Sequence, residues 1–135
     1  MYNIQENNTY KVTFDLVDED GTAIADSAVG TFLCTLYYFN DDNPNSDPYH
    51  LATINNRYNQ NVKNANNVSM TSTSNVTWYM QPEDNVMLSS KEVELHTALF
   101  TWYYSSKRNS QDIKFRVKKV LLLYRRVNNG YNMSI

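Results

Sequence analysis

The stretch YKVTFDLV, residues 10–17, restricts this chain more than any other feature. Val12, Phe14 and Leu16 fall on one side of an extended backbone, and Lys11, Thr13 and Asp15 on the other. A period of two suits a half-buried strand, whereas a helix would scatter the same residues around its axis. The segment IKFRVK repeats the pattern, setting Ile113, Phe115 and Val117 against Lys114, Arg116 and Lys118. TFLCTLYYF, residues 31–39, is apolar or aromatic on both faces and rich in β-formers, which predicts a central strand.

Other extended runs are HLATI (50–54), residues 68–71, residues 76–80 and a long strand around LHTALFTWYY (95–104). Turn chemistry separates them: DEDG at 18–21, DDNPNSDP at 41–48, STSN at 72–75 and the polar corner QPEDN at 81–85. No segment carries a long amphipathic helix. The expectation is an all-β chain forming a single β-sandwich with about seven to nine strands. With only one cysteine, Cys34, it has no intrachain disulfide. The domain is expected over 9–119, between an N-terminal arm at 1–8 and a C-terminal extension at 120–135.

The last two strands should form a hairpin around the loop SSKRNSQD. Trp102 is expected opposite Phe115, Tyr104 opposite Ile113 and Phe100 opposite Val117, since a slip of one residue would set Phe100 against Arg116. Glu92 and Glu94 share the parity of the apolar face, so a bulge is expected near Glu94.

More than half of NNRYNQNVKNANN, residues 55–67, is asparagine. Neither flank has enough strands to close a sandwich alone, so the stretch reads as an ordered crossover rather than a linker between domains. Asn tolerates turns and left-handed backbone. Val62, Ala65 and Val68 are spaced by three, which predicts one or two helical turns with a small apolar edge.

The order INNRYNQNVKNANNVSM, NVTWYMQPEDN, ELHTALFTWYY and IKFRVKKV resembles a small Ig-like module of structural proteins in tailed bacteriophages and prophages. There an Asn-Ala-Asn segment follows a short strand, and a Thr-Trp strand runs into a Pro-Glu-Asp corner. A His-x-Ala-x-Phe-x-Trp strand then leads into the last hairpin. The likeness covers roughly residues 31–119. One departure is that no glycine-rich turn follows Trp102. The Asn- and Tyr-rich composition further resembles proteins of crAss-like phages of Bacteroides hosts, where an Ig-like auxiliary protein decorates the capsid. The resemblance implies an Ig-like sandwich and a virion structural role.

Net charge is −2, which gives no basic field for holding nucleic acid by counterion release. The start lacks the cationic and apolar regions of a signal peptide, and VLLLY at 120–124 is far too short to span a bilayer. These features point to folding in a reducing cytoplasm, with no nucleic-acid or membrane partner; the phage resemblance implies that of a bacterial host. Four Asn-x-Ser/Thr sequons, at Asn7, Asn67, Asn75 and Asn132, are about what this composition yields by chance.

Signals for catalysis are poor. His50 and His96 show no pairing with a nucleophile, and Cys34 sits inside an apolar strand as an inert thiol would. Asp41, Asn43, Asn45 and Asp47 alternate as calcium ligands do, but Ser46 replaces the turn glycine and Ala52 the closing Glu. That segment reads as an exposed connection, and no cofactor or metal is expected. Lys114, Arg116 and Lys118 make a cationic row, either a solvated guard against wrong strand pairing or a docking stripe for an acidic partner helped by Tyr103. Leu121, Leu122, Leu123 and Tyr124 continue past the last pairing, where they either extend the final strand or, as favoured over a free tail, form an arm that lies on a neighbouring subunit.

Together with the resemblance, these residues give one expected function. It is a non-enzymatic auxiliary protein on the capsid exterior, bound to the major capsid protein and neighbouring virion proteins. Self-association on the lattice is a further expectation. A head-tail joint or fibre-base component, or an Ig-like module for glycans or receptors, is the alternative.

Overall fold

In a computed structural model, residues 1–39 and 51–120 are described. They form nine strands: β1 (Tyr2–Gln5), β2 (Tyr10–Asp15), β3 (Thr31–Phe39), β4 (Leu51–Thr53), β5 (Gln60–Asn61), β6 (Val68–Met70), β7 (Asn75–Met80), β8 (Val93–Tyr104) and β9 (Lys107–Lys118). One sheet runs β1-β9-β8-β3-β4, with β5 also paired to β3, and the other runs β2-β7-β6. Strands β3, β8 and β9 correspond to C, F and G of an Ig-like sandwich, and β2, β7 and β6 to B, E and D. The protein is thus an all-β, Ig-like sandwich without a disulfide, as expected from the sequence.

Each strand's alternation is read out as burial. Val12 and Phe14 of β2 face inward, as do Phe32, Cys34, Leu36 and Tyr38 of β3, and Ile113, Phe115 and Val117 of β9. An aromatic cluster joins the sheets, with the Phe14 and Phe100 rings 4.8 Å apart and Trp78 set edge-on to Phe100 at 5.5 Å. Each such side chain contributes roughly 1.5–3 kcal/mol by burial, and ring pairing about 0.5–1.5 kcal/mol more.

Residues 1–8 differ from the expected arm. Tyr2–Gln5 pair in parallel with Phe115–Lys118, so this segment is the edge strand of the larger sheet, and Ile4 is buried in the core.

The β8–β9 hairpin also differs. Ser105 and Ser106, at φ 46° and 61°, make a two-residue turn of the type that matches strand twist. The ladder then runs unbroken from Tyr104↔Lys107 to Val93↔Lys118, with no bulge at Glu94. Trp102 lies opposite Asn109 rather than Phe115, and His96 opposite Phe115, a shift of six residues from the expected register. An even shift leaves every side chain on its original face, so the apolar pattern alone does not discriminate between the two.

What does discriminate is the connection between β2 and β3. Trp102 Nε1 donates to the Val17 carbonyl at 3.0 Å, and Asn109 Nδ2 donates to the same oxygen at 3.0 Å. Lys107 and Tyr104 both reach Glu19. Lys107 and Asn109, at the polar start of β9, therefore hold residues 17–19 against the hairpin end.

The register can be tested at the turn. Ser105→Asn with Ser106→Gly places residues suited to left-handed backbone there and should raise stability by about 0.5–1 kcal/mol. Urea denaturation would measure it. A loss of stability would mean that the hairpin closes elsewhere.

Candidate interaction face

On β9, Lys114, Arg116 and Lys118 all point away from the core and are exposed. Their neighbours across the ladder on β8 are Thr97, Leu95 and Val93 respectively. Leu95 and Val93 remain 45% and 40% exposed, so the outer face at this end alternates exposed cations with exposed aliphatic groups. On the other side β1 sets Asn3 beside Arg116 and Gln5 beside Lys118. Arg116 and Lys118 engage no carboxylate among the described residues, and Lys114 has only a 3.5 Å contact with the Thr97 hydroxyl.

This arrangement bears on the edge-guard reading. At Arg116 and Lys118 the sheet edge is β1, which carries no charged residue. These two cations therefore project from the sheet face and guard no open edge.

Tyr103 shares the face but not the neighbourhood. It lies opposite Arg108 and Thr31, six positions along β8 from Thr97 and so roughly 20 Å from the nearest member of the cationic row. Leu121, Leu122, Leu123 and Tyr124 lie outside the described residues, as do His50 and the Asp41–Asp47 segment.

The same end of the sheet is held by a buried pair. Glu94 is 1% exposed and accepts from the backbone N–H groups of Ser89 at 2.6 Å and Leu88 at 3.0 Å, and from His96 Nε2 at 2.8 Å. It thereby pins the loop before β8. Burial alone would raise the Glu94 carboxyl, but the hydrogen bonds from Ser89, His96 and Leu88 outweigh it and hold it below its ordinary range. For His96, burial pushes the imidazole down more than Glu94 raises it. The sequence showed Glu94 only as an acid with the wrong parity. Cys34 is likewise interior, its thiol pushed up to about 12 by burial. Among the described residues, no three potential metal ligands cluster and no helix is long and apolar enough to cross a membrane.

The largest feature that sequence reading missed is the Arg57–Asp84 pair. Arg57 is 2% exposed, with Nε 2.6 Å from Asp84 Oδ1 and a second nitrogen 3.2 Å from Oδ2. Its remaining amino group donates to Gln60 Oε1 and to the Asn66 carbonyl, and its guanidinium lies over the Trp78 ring at 5.7 Å. Asp84 also accepts from Asn55 Nδ2 and from the Gln81 N–H. The corner QPEDN is thus a short 3-10 turn, Pro82–Asn85, locked to the asparagine-rich crossover.

That crossover contains no helical turn. Asn55, Asn56, Asn59, Asn64, Asn66 and Asn67 all have φ between 46° and 70°, so six of its seven asparagines are left-handed. Val62 and Val68 are buried, while Ala65 is only half-buried. The i+3 spacing came from successive tight turns, and the expectation of an ordered, left-handed Asn crossover holds.

No known family model matches the chain, and no curated protein matches it either.

Two outcomes follow from the buried pairs. Arg57→Ala should cost about 3–5 kcal/mol, because it leaves Asp84 charged and enclosed. A loss under 1 kcal/mol in denaturant unfolding would mean that Asp84 is not shut away from water. The second outcome concerns acid. Unfolded, His96 and Glu94 titrate near 6.5 and 4.5, and the fold lowers both, so the unfolded chain binds more protons in acid. The stability these groups contribute is complete above about pH 6.5. It declines first as the unfolded-state histidine protonates, then below 4.5 as the carboxylate does. His96→Gln should flatten the upper part of that decline when urea midpoints are followed against pH. An unchanged slope between pH 6.5 and 5 would remove His96 from the account.

Proposed function

We propose that this protein is a non-enzymatic structural component of a tailed-phage virion, an auxiliary protein that decorates the capsid exterior. Its partner in this reading is the major capsid protein, met through the outer face at the Val93–Lys118 end of the larger sheet. The observation that carries the proposal is the exposed alternation of Arg116 and Lys118 with Leu95 and Val93. Exposed cations beside exposed aliphatic groups suit an acidic surface with an apolar centre. The charges would steer the encounter and the aliphatic groups would exclude water once seated. The module resemblance supplies the virion context. Copies repeated on a lattice would hold by many modest contacts.

A glycan-binding module is a second reading, favoured by one feature. An open cleft of about 360 Å³ is lined by Thr9, Tyr10, Lys11, Tyr79, Met80 and Gln81, and Tyr79 is half exposed there. Tyrosine rims offer flat contact area at low entropic cost.

Mass spectrometry of purified source particles separates the readings by abundance. Near-stoichiometric amounts relative to the major capsid protein support decoration. A few copies place the protein at the head-tail joint or fibre base, and its absence ends the virion reading. With decoration supported, Lys114→Glu, Arg116→Glu and Lys118→Glu combined should weaken attachment to particles by tenfold or more, with a native circular dichroism spectrum. Raising salt should weaken the wild type in the same direction. Attachment that ignores both changes would rule out this face.

A further inference from the structure

β1 covers only the last four residues of β9, pairing Tyr2–Gln5 with Phe115–Lys118. From Lys107 to Lys114 the outer edge of β9 has no strand beside it among the described residues. Tyr104 and Lys107 close the two-residue turn, so the odd-numbered residues of this stretch bond to β8. The N–H and C=O groups of Arg108, Ser110 and Asp112, and the N–H of Lys114, then point to the open edge. Ser110 fits this alternation, since its N–H is taken up by its own neighbour, Asn109 Oδ1, at 2.9 Å rather than by β8.

Bare edges are ordinarily blunted by proline, bulges or like charges. This one carries Arg108 and Asp112, of opposite sign and symmetrically placed about Ser110. Both are exposed, and neither forms an ion pair among the described residues. Four residues apart on one strand, they are roughly 13 Å from each other and cannot pair within the chain.

We infer that this edge pairs with the same edge of a second copy, antiparallel about a two-fold axis through Ser110. In that register Arg108 of one copy faces Asp112 of the other, twice over. The even-numbered groups of both strands become reciprocal hydrogen-bond partners, as a symmetric antiparallel pair requires. The length also fits. Lys114 would meet Ser106 of the second copy, so each hairpin turn ends where the other copy's β1 begins. Asn109 Oδ1 yields the Ser110 N–H to the second strand. The interface is small, so association is weak, with a dissociation constant in the micromolar range. It uses the edge of β9 and, apart from Lys114 at its end, none of the outward cationic row, and it stands independently of the capsid proposal.

Sedimentation velocity of the full chain over a concentration series tests the inference. The wild type should show a monomer–dimer equilibrium. Arg108→Asp and Asp112→Arg should each raise the dissociation constant about tenfold or more, and the two combined should restore it, since the charges are then exchanged. Ser110→Pro should abolish the dimer and leave the thermal midpoint little changed, because that N–H makes no bond to β8. Should this variant fail to fold, the charge exchange decides alone. A wild type that stays monomeric to millimolar concentration overturns the inference. So does a dimer that tolerates the single reversals, or reversals that do not rescue each other.

Discussion

The sandwich depends on one buried charge pair. Arg57 enters the core from the asparagine-rich crossover and meets Asp84 from the 3-10 corner, two segments far apart in sequence with no sheet partner in common. Taking both charges out of water costs several kcal/mol each, recovered only when every remaining donor and lone pair is used. Here nearly all are: four of the five guanidinium N–H groups reach Asp84, Gln60 and the Asn66 carbonyl, and the carboxylate also takes Asn55 and the Gln81 N–H. The pair therefore selects one arrangement of two irregular segments more than it adds stability. A crossover with so few apolar side chains has little else to fix its path.

That path is demanding because the backbone is left-handed at six asparagines. Glycine is the ordinary residue for such positions, yet the chain has only three, and none lies in the crossover. Asparagine accepts the same backbone region while keeping an amide that can bond locally. Asn64 Oδ1 takes the Met70 N–H and Asn66 Nδ2 the Asn61 carbonyl, so turns that glycine would leave loose are braced by their own side chains. Asn59 and Thr35 do the same across to β3.

This explains what was legible in the sequence and what was not. Strand existence and facing are local properties, written in the period-two pattern, and β2, β3, β7 and β8 lie where that pattern puts them, whereas β9 begins at Lys107, six residues before the alternation at Ile113 and inside the stretch expected as a loop. Register between β8 and β9 is not local. Parity fixes it only to within even shifts, and the choice among those was made by Val17 and Glu19, which reach the hairpin from another part of the chain. Glu94 carries the same lesson. Its inward parity looked like a defect needing a bulge, but it was a correct statement that the acid is buried, and its partners were simply not visible. Arg57 gave no signal, because one arginine among asparagines looks like any solvated charge. The cationic row was legible as a face, though Tyr103 was not separable from it without the true register.

The length of β1 divides β9 into two surfaces of different physics. Where β1 pairs, the strand's backbone is satisfied on both sides and only its out-of-plane side chains remain available, which are cations beside aliphatic groups. Where β1 stops, no strand among the described residues takes up the backbone, and side-chain charge decides what approaches. A row of like charges there would have repelled a second copy. Arg108 and Asp112 instead make the edge complementary to itself, so approach by a copy in the two-fold register is favoured over a random strand. A β1 longer by four residues would cover Lys114 to Gln111, Asp112 included, and so break the two-fold register, while leaving Leu95, Arg116 and Lys118 untouched. The two surfaces are thus separable by construction, and one molecule can present its cationic face outward while its β9 edge is engaged.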